Sequence, residues 1–247
     1  VILIRSTLFN IAFFAISFCL TVPGAVARLI NPDWVTGFAV LWARSMVVCL
    51  RIICGIRVEV TGQEHLPVGA ALIASRHQSA FDTFIWLTLL PRCCYVLKHE
   101  LLRIPLFGGL IAATRMIAVD RSGGSTTMRM LMREGKRAMR EERQIVIFPE
   151  GTRADFGKTL PLLPGVAALA SSTGLPIIPV ITDSGLCWGR RAFRKLPGTI
   201  HIRILPPIPP GLRRDALMAR LAEDLAGANR ASPEDPACRD AKHDRAA

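Results

Sequence analysis

A chain of 247 residues can bury one substantial core with some length to spare, which favours one domain over two. The composition is 51% hydrophobic with a mean hydropathy of +0.36, high for a soluble domain, and the excess sits in the first third. A formal net charge of +12 fits nucleic acid, an anionic membrane or an acidic substrate. A single Tyr, no zinc-finger spacing, no RNA-binding aromatic signature and the apolar N-terminus argue against the first.

From Ser6 to Ala27 there is no charge, and Arg5 and Arg28 bracket the stretch. At about 1.5 Å per residue this is long enough to cross a hydrocarbon core. Pro23-Gly24 is expected to break or kink the helix near its end. A second apolar run, Trp34 to Ile56, carries Arg44 and Arg51 seven apart, hence on one helical face, and reads as amphipathic. Residues 1–56 are therefore expected to form a membrane-anchoring helical hairpin that dips into one leaflet or crosses once and returns. A cleaved signal peptide fits less well, because the apolar stretch is long and no small-residue cleavage site precedes a disulfide-type domain. The seven Cys, at 19, 49, 54, 93, 94, 187 and 238, form no CxxC pair. They read as reduced thiols, so the globular part is expected to face the cytosol.

After Gly55 short segments alternate between Gly and Pro breaks. Ile56–Gly62 alternates like a half-buried strand. Residues 70–75, 94–98, 116–120, 144–151, 175–182 and 199–206 are further strand candidates. Helical patterns fall at Phe81–Leu90, Thr126–Glu142 and Val166–Thr173. In Leu212–Asn229, Leu217, Leu221 and Leu225 lie four apart. Strands alternating with helices predict an α/β catalytic domain over 57–229, with a mostly parallel central sheet flanked by helices. Residues 230–247 are polar and turn-rich and are expected to be disordered.

Three constellations carry chemistry. Ser75-Arg76-His77-Gln78-Ser79-Ala80-Phe81-Asp82 follows a buried-looking strand and opens a helix. A carboxylate five residues from a His can fix the ring's tautomer and stabilise the imidazolium formed on accepting a proton. Read alone, the pair serves equally as a helix cap. Phe148-Pro149-Glu150-Gly151-Thr152-Arg153 ends the most apolar strand, with Gly151 for close approach, a hydroxyl at Thr152 and a planar fork at Arg153 suited to phosphate. Lys98 and Arg121 each end a predicted strand on the same side and would complete an electropositive pocket. Ser79 has no nucleophile elbow and is expected to bond locally. Backbone amides near Gln78 or Ser79 are the expected oxyanion donors.

Taken in order, HQSAFD, KHELLRIP with IAVDR, FPEGTR and LPIIPV resemble the four sequence blocks of the 1-acylglycerol-3-phosphate O-acyltransferases, the PlsC-type glycerolipid acyltransferases. The likeness runs from about Val58 to Pro210. It implies that His77 deprotonates the acceptor hydroxyl, which attacks the thioester of acyl-CoA or acyl-carrier protein directly, with Asp82 supporting His77. It further implies that Glu150, Gly151, Thr152 and Arg153, with Arg121, bind the glycerol phosphate, and Lys98 is expected to join this substrate-binding set from its strand-end position. No cofactor or metal is required. The product would be phosphatidate, made at the cell (inner) membrane by a domain facing the cytoplasm.

Two positions depart from the pattern. Arg76 stands where the family often has Asn, which is expected to alter the acceptor pocket, and Leu163 stands where a Lys is expected. The second departure leaves room for another lysolipid acceptor, such as lyso-ornithine lipid. A non-catalytic lipid-binding scaffold is the rival from another class. The segment Trp188–Lys195 is basic and aromatic; its Arg190, Arg191, Arg194 and Lys195 are expected to meet anionic headgroups or an acidic carrier protein.

Overall fold

The short strands alternate their side chains between two covered faces, and that period of two sets the layers. The computed structural model describes residues 1–105, 107–120 and 123–227; Arg121 and the segment 230–247 lie outside the described residues. Within these, seven strands form one sheet: β1 (Ile56–Thr61), β2 (Ala71–Ser75), β3 (Cys93–Lys98), β4 (Ile117–Val119), β5 (Gln144–Ile147), β6 (Ile177–Thr182) and β7 (Gly198–Ile204). Their order is β1-β7-β6-β2-β5-β3-β4, and every neighbouring pair is parallel except β6–β7. The mostly parallel α/β sheet expected from the sequence is present, with β1 and β7 running against the other five strands.

In central β2 all five residues are buried. Ala71 and Ile73 face a core shared with Phe81, Trp86 and the N-terminal helices. Leu72 and Ala74 face helices α5 (Gly124–Arg140), α6 (Gly165–Thr173) and α8 (Arg214–Ala226). The Leu217, Leu221 and Leu225 stripe of α8 is buried, as its spacing predicts.

Three local expectations are corrected. The helix expected over Phe81–Leu90 is a 3₁₀ turn at Phe81–Thr83 followed by the short α3 (Trp86–Leu89), because Asp82 bonds back to the preceding backbone. Helix α4 (Phe107–Ala113) escaped notice because Gly108-Gly109 lowers helix propensity. The glycine is needed for packing: a Cβ on Gly108 would lie 2.0 Å from the Leu102 carbonyl oxygen. Finally, α1 (Ile2–Ile30) runs through Pro23 unbroken. Proline removes one backbone donor, while Gly24 packs against Leu110 of α4 and Phe38 of α2 (Trp34–Cys49), which holds the helix together across it.

Helix α2 continues as a π-helical turn, Leu50–Cys54, that ends at Gly55 with φ +69°. Arg44 and Arg51 share its exposed side with Leu41, Val48 and Ile52, so that side is largely apolar, and the polar face expected of an amphipathic helix is not formed. The inner faces of α1 and α2 join the sheet's core, where Phe9, Met46 and Leu50 are buried with Ile73 and Val146. A run of edge-to-face aromatic contacts links these helices to the turn that carries Asp82: Phe13–Trp42 at 5.8 Å and Trp42–Phe84 at 5.6 Å.

Lys195 is corrected as well. It was expected on a basic surface, yet it is 2% exposed, with its ammonium 4.9 Å from the Trp188 ring and 5.3 Å from that of Phe9. It donates to Asn10 Oδ1 at 2.6 Å and to the Phe193 carbonyl at 2.9 Å, while its amide donates to Ser6 Oγ. A buried ammonium needs such partners, so this contact fastens α1 to the loop after α7 (Ser184–Cys187). Asn10→Ala removes one acceptor and should destabilise the protein by about 1–3 kcal/mol in denaturant titration.

Candidate active site

Strands β2 and β5 are adjacent and parallel, with Ala74 opposite Ile147. Three residues beyond each, His77 and Glu150 leave the same edge of the sheet side by side. The His77 amide donates to Glu150 Oε2 at 3.1 Å. On the other flank Ser75 pairs with Val180 of β6, and Gln78 Oε1 accepts from the Gly185 amide at 3.0 Å. The catalytic-type loop therefore sits at the carboxyl ends of three parallel strands, where α/β sheets build their sites.

Asp82 closes this loop on itself. Its Oδ2 accepts from the amides of Gln78 at 2.7 Å and Ser79 at 2.8 Å, and lies 3.2 Å from His77 Nδ1. An ionised carboxylate only accepts, so Nδ1 carries the proton and Nε2 is left basic. Asp82 is 2% exposed. Its main-chain carbonyl accepts from the Tyr95 hydroxyl, which in turn accepts from the Trp86 amide. The His77 ring stacks on Phe148, with centroids 4.1 Å apart and planes 17° from parallel. Ring tautomer, ring plane and ring position are thus each fixed by a separate contact.

Several expectations change here. The Gln78 and Ser79 amides were the expected oxyanion donors; both are occupied by Asp82. Glu150 was expected to bind substrate, but it is buried and its carboxylate turns inward, to the His77 amide and to Arg76 Nη2 at 3.1 Å. Burial pushes its pKa up, against the His77 amide and the Arg76 guanidinium, which lower it. Arg76, expected to alter the acceptor pocket, is 1% exposed and points away from it, to Glu150, the Lys158 carbonyl and the Leu225 carbonyl. Ser79 behaves as expected: its Oγ accepts from the Phe81 amide.

Gly151 takes φ +67° in the turn after Phe148, and Thr152 beside it is exposed. Arg153 is half-buried, and among the described residues no ion pair or hydrogen bond holds its guanidinium. Burial lowers its pKa; Asp82 raises it and Arg190 lowers it, which places the guanidinium in the field of the catalytic-type pair. Lys98 ends β3 at the same sheet edge, where it is paired with Glu100 Oε1 at 2.9 Å, both side chains about half exposed.

Residues that sequence reasoning passed over include Tyr95, Phe148 as the ring's stacking partner, and a second His–Asp pair. In that pair His201 Nδ1 lies 2.7 Å from Asp183 Oδ2. Its other nitrogen, Nε2, lies 3.8 Å from Glu59, so carboxylates flank it on both sides and it offers no free base. Only the HxxxxD spacing was visible in the sequence; a pair made across two strands leaves no local signal.

Several known proteins are similar to this chain. A 1-acyl-sn-glycerol-3-phosphate acyltransferase of Pseudomonas aeruginosa is 36% identical over 165 residues, covering 67% of this chain and 64% of that protein. The enzyme of that name from Limnanthes alba is 37% identical over 157 residues, 62% of this chain and 55% of that one. The human 1-acyl-sn-glycerol-3-phosphate acyltransferase alpha is 31% identical over 182 residues, 71% and 64% respectively. The chain thus spans less than two thirds of the length of these relatives. The crystal structure of the 1-acyl-sn-glycerophosphate (LPA) acyltransferase PlsC from Thermotoga maritima superposes with a TM-score of 0.73 at 20% identity, over 99% of this chain and 98% of that one, and shows a shared fold. The acyltransferase family profile matches residues 57–183, the span from β1 through the HxxxxD loop and FPEGTR to Asp183, and the chain belongs to that family.

Proposed function

We propose that the protein acylates the free sn-2 hydroxyl of 1-acylglycerol-3-phosphate, with His77 as general base and Asp82 supporting it. The observation that carries this reading is the His77 ring, locked by Asp82 and Phe148, with the half-buried Arg153 guanidinium in the electrostatic field of Asp82. His77 Nε2 takes the acceptor's proton as its oxygen attacks the thioester carbonyl of acyl-CoA or acyl-carrier protein. The tetrahedral adduct collapses, the C–S bond breaks, and the imidazolium returns the proton to the departing thiolate. Arg153, with Gly151 and Thr152 beside it and Lys98 at a neighbouring strand end, receives the phosphate; Arg121, expected from the sequence to join them, lies outside the described residues. Thiolate is a fair leaving group, so the proposed transfer invokes no metal or cofactor. A phosphate-free acceptor such as lyso-ornithine lipid is favoured by one observation alone, the half-exposed Leu163 where a Lys was expected.

Two apolar N-terminal helices associate the protein with a membrane. Leu8, Ile11, Phe14, Phe18, Val22 and Val26 form an exposed stripe along α1. The opposite face of α1 is held to the globular part from Ser6, against Lys195, to Arg28, against Gly109. With one face held to protein near both of its ends, α1 would lie in the plane of the interface, and this supports a hairpin dipping into one leaflet. The domain would then sit on the cytoplasmic side of the inner membrane. Exposed Arg190, Arg191 and Arg194 suit anionic headgroups or an acidic carrier protein.

His77→Ala should lower kcat roughly 10²–10⁴-fold while membrane binding and the thermal melt stay unchanged; near-normal turnover would refute the base. With one acyl donor, lysophosphatidate should be converted and lyso-ornithine lipid should not. Arg153→Ala should raise KM for lysophosphatidate about 10–100-fold, the loss expected for a hydrogen bond to a charged group; an unchanged KM would remove Arg153 from the phosphate site.

A further inference from the structure

Arg76 lies immediately before the proposed base, yet it takes no part in the acceptor site and is one of the largest fully buried side chains of the protein. Its Nη2 donates to Glu150 Oε1 at 3.1 Å and to the Lys158 carbonyl at 2.6 Å. Its Nη1 donates to the Leu225 carbonyl at 3.3 Å, in the last turn of α8. That carbonyl belongs to the partially negative end of the helix, so a cation there is favoured. The second oxygen of Glu150 holds the His77 amide. A cavity of about 250 Å³, lined by Arg76 and Glu150 with Leu162, Ala222 and Leu225, borders the pair. Hydrogen bonds at Nη1 and Nη2 hold its head group beside this cavity.

We infer that Arg76 is a positioning residue for the transfer reaction: by holding Glu150 ionised and oriented, it fixes the backbone of His77. The inference rests on His77 acting as the base. The physical basis is an asymmetry between the two partners. A carboxylate buried this deeply is pushed toward its neutral form by desolvation, and the groups opposing that push are the His77 amide, the Arg76 guanidinium and the His77 side chain. Other charges nearby are already paired: Lys158 with Asp155 at 3.3 Å, and Arg220 with Asp224 on α8 at 3.1 Å. No second cation replaces Arg76 at Glu150 among the described residues. Without the guanidinium, Glu150 protonates as pH falls, its hold on the His77 amide weakens and the imidazole is displaced from the reacting hydroxyl. Displacement by a fraction of an ångström degrades proton transfer more than binding, so the effect belongs in kcat. The same contacts make α8 part of the catalytic apparatus, because its last turn holds one arm of Arg76.

The test uses the full chain in vesicles, with kcat and KM for lysophosphatidate measured from pH 6 to 9. The parent and His77→Ala are run first. A parent without turnover, or an active His77→Ala, defeats the acyltransfer reading itself and is distinguishable from failure of this inference. In Arg76→Gln, kcat should fall on the order of tenfold or more at pH 6, with the loss shrinking as pH rises and KM holding within about twofold. The sign follows from the cation's removal: Glu150 titrates at higher pH, and function returns as it ionises. Glu150→Gln/Arg76→Gln, which has no carboxylate to titrate, should lose that pH dependence, and Arg76→Lys should keep the parent's profile. A loss in Arg76→Gln that is equal at every pH, one carried by KM, or kcat within about twofold of the parent throughout would overturn the inference. Should Arg76→Gln fail to fold, Glu150→Gln decides: reduced kcat with unchanged KM supports the positioning role, and a raised KM with unchanged kcat overturns it.

Discussion

A His on a loop beyond a strand end has no ladder to hold it, and the site depends on how Asp82 answers that problem. One carboxylate oxygen, 2% exposed with its residue, collects two backbone amides and the imidazole Nδ1. Each bond to a charged acceptor contributes about 1.5–3 kcal/mol, enough to offset the burial of the charge. The geometry also explains the spacing. Four intervening residues let the chain turn back so that Asp82 reaches the amides of Gln78 and Ser79 together with the ring. A shorter interval would give a plain helix cap without the imidazole. The turn-closing bonds and the hold on the imidazole, which the sequence presents as alternatives, are made by the same carboxylate oxygen.

Glu150 performs the matching task from the next strand. Ala74 opposite Ile147 in a parallel pair brings His77 and Glu150 out of the sheet at equal height, which is why two distant motifs meet. In a parallel sheet the register is fixed by burial on both faces, since a one-residue slip would send Leu72 and Ala74 into the wrong core. The precision of the site is therefore inherited from the packing of Ile73, Val146 and their neighbours, far from the chemistry.

Much of this was legible because the signals were local. The buried strands announced themselves as apolar runs, α8 through three leucines at intervals of four, and the base and its carboxylate through five-residue spacing. What stayed hidden was made by tertiary contact. Glu150 and Arg153 stand three residues apart in one turn, and nothing in their order says that the acid turns inward while the guanidinium lies near Asp82. The Gln78 and Ser79 amides look available until the fold brings Asp82 back to them. Lys195 reads as one more surface cation in a basic loop, and only the arrival of α1 makes it a buried one. The unbroken helix at Pro23 is the same lesson in the backbone, where packing by Gly24 outweighs one missing donor.

The apolar hairpin and the base belong to one mechanical unit. Phe13 meets Trp42, Trp42 meets Phe84, and Phe84 meets Phe81, the residue before Asp82. The sheet face that carries these rings is also the one on which Phe148 packs beneath His77. On the proposed function, an acceptor with one acyl chain in a leaflet would keep its free hydroxyl near the interface, and a base on the sheet face that carries the hairpin would meet it without drawing the chain into water. Extracting a long acyl chain would cost about 0.8 kcal/mol per methylene. A fixed distance between the hairpin's outer stripe and the imidazole removes that cost, and the aromatic contacts supply the fixed distance. On the proposed function the first 54 residues would do more than tether the protein: their inner face would set the depth at which the hydroxyl and the imidazole meet.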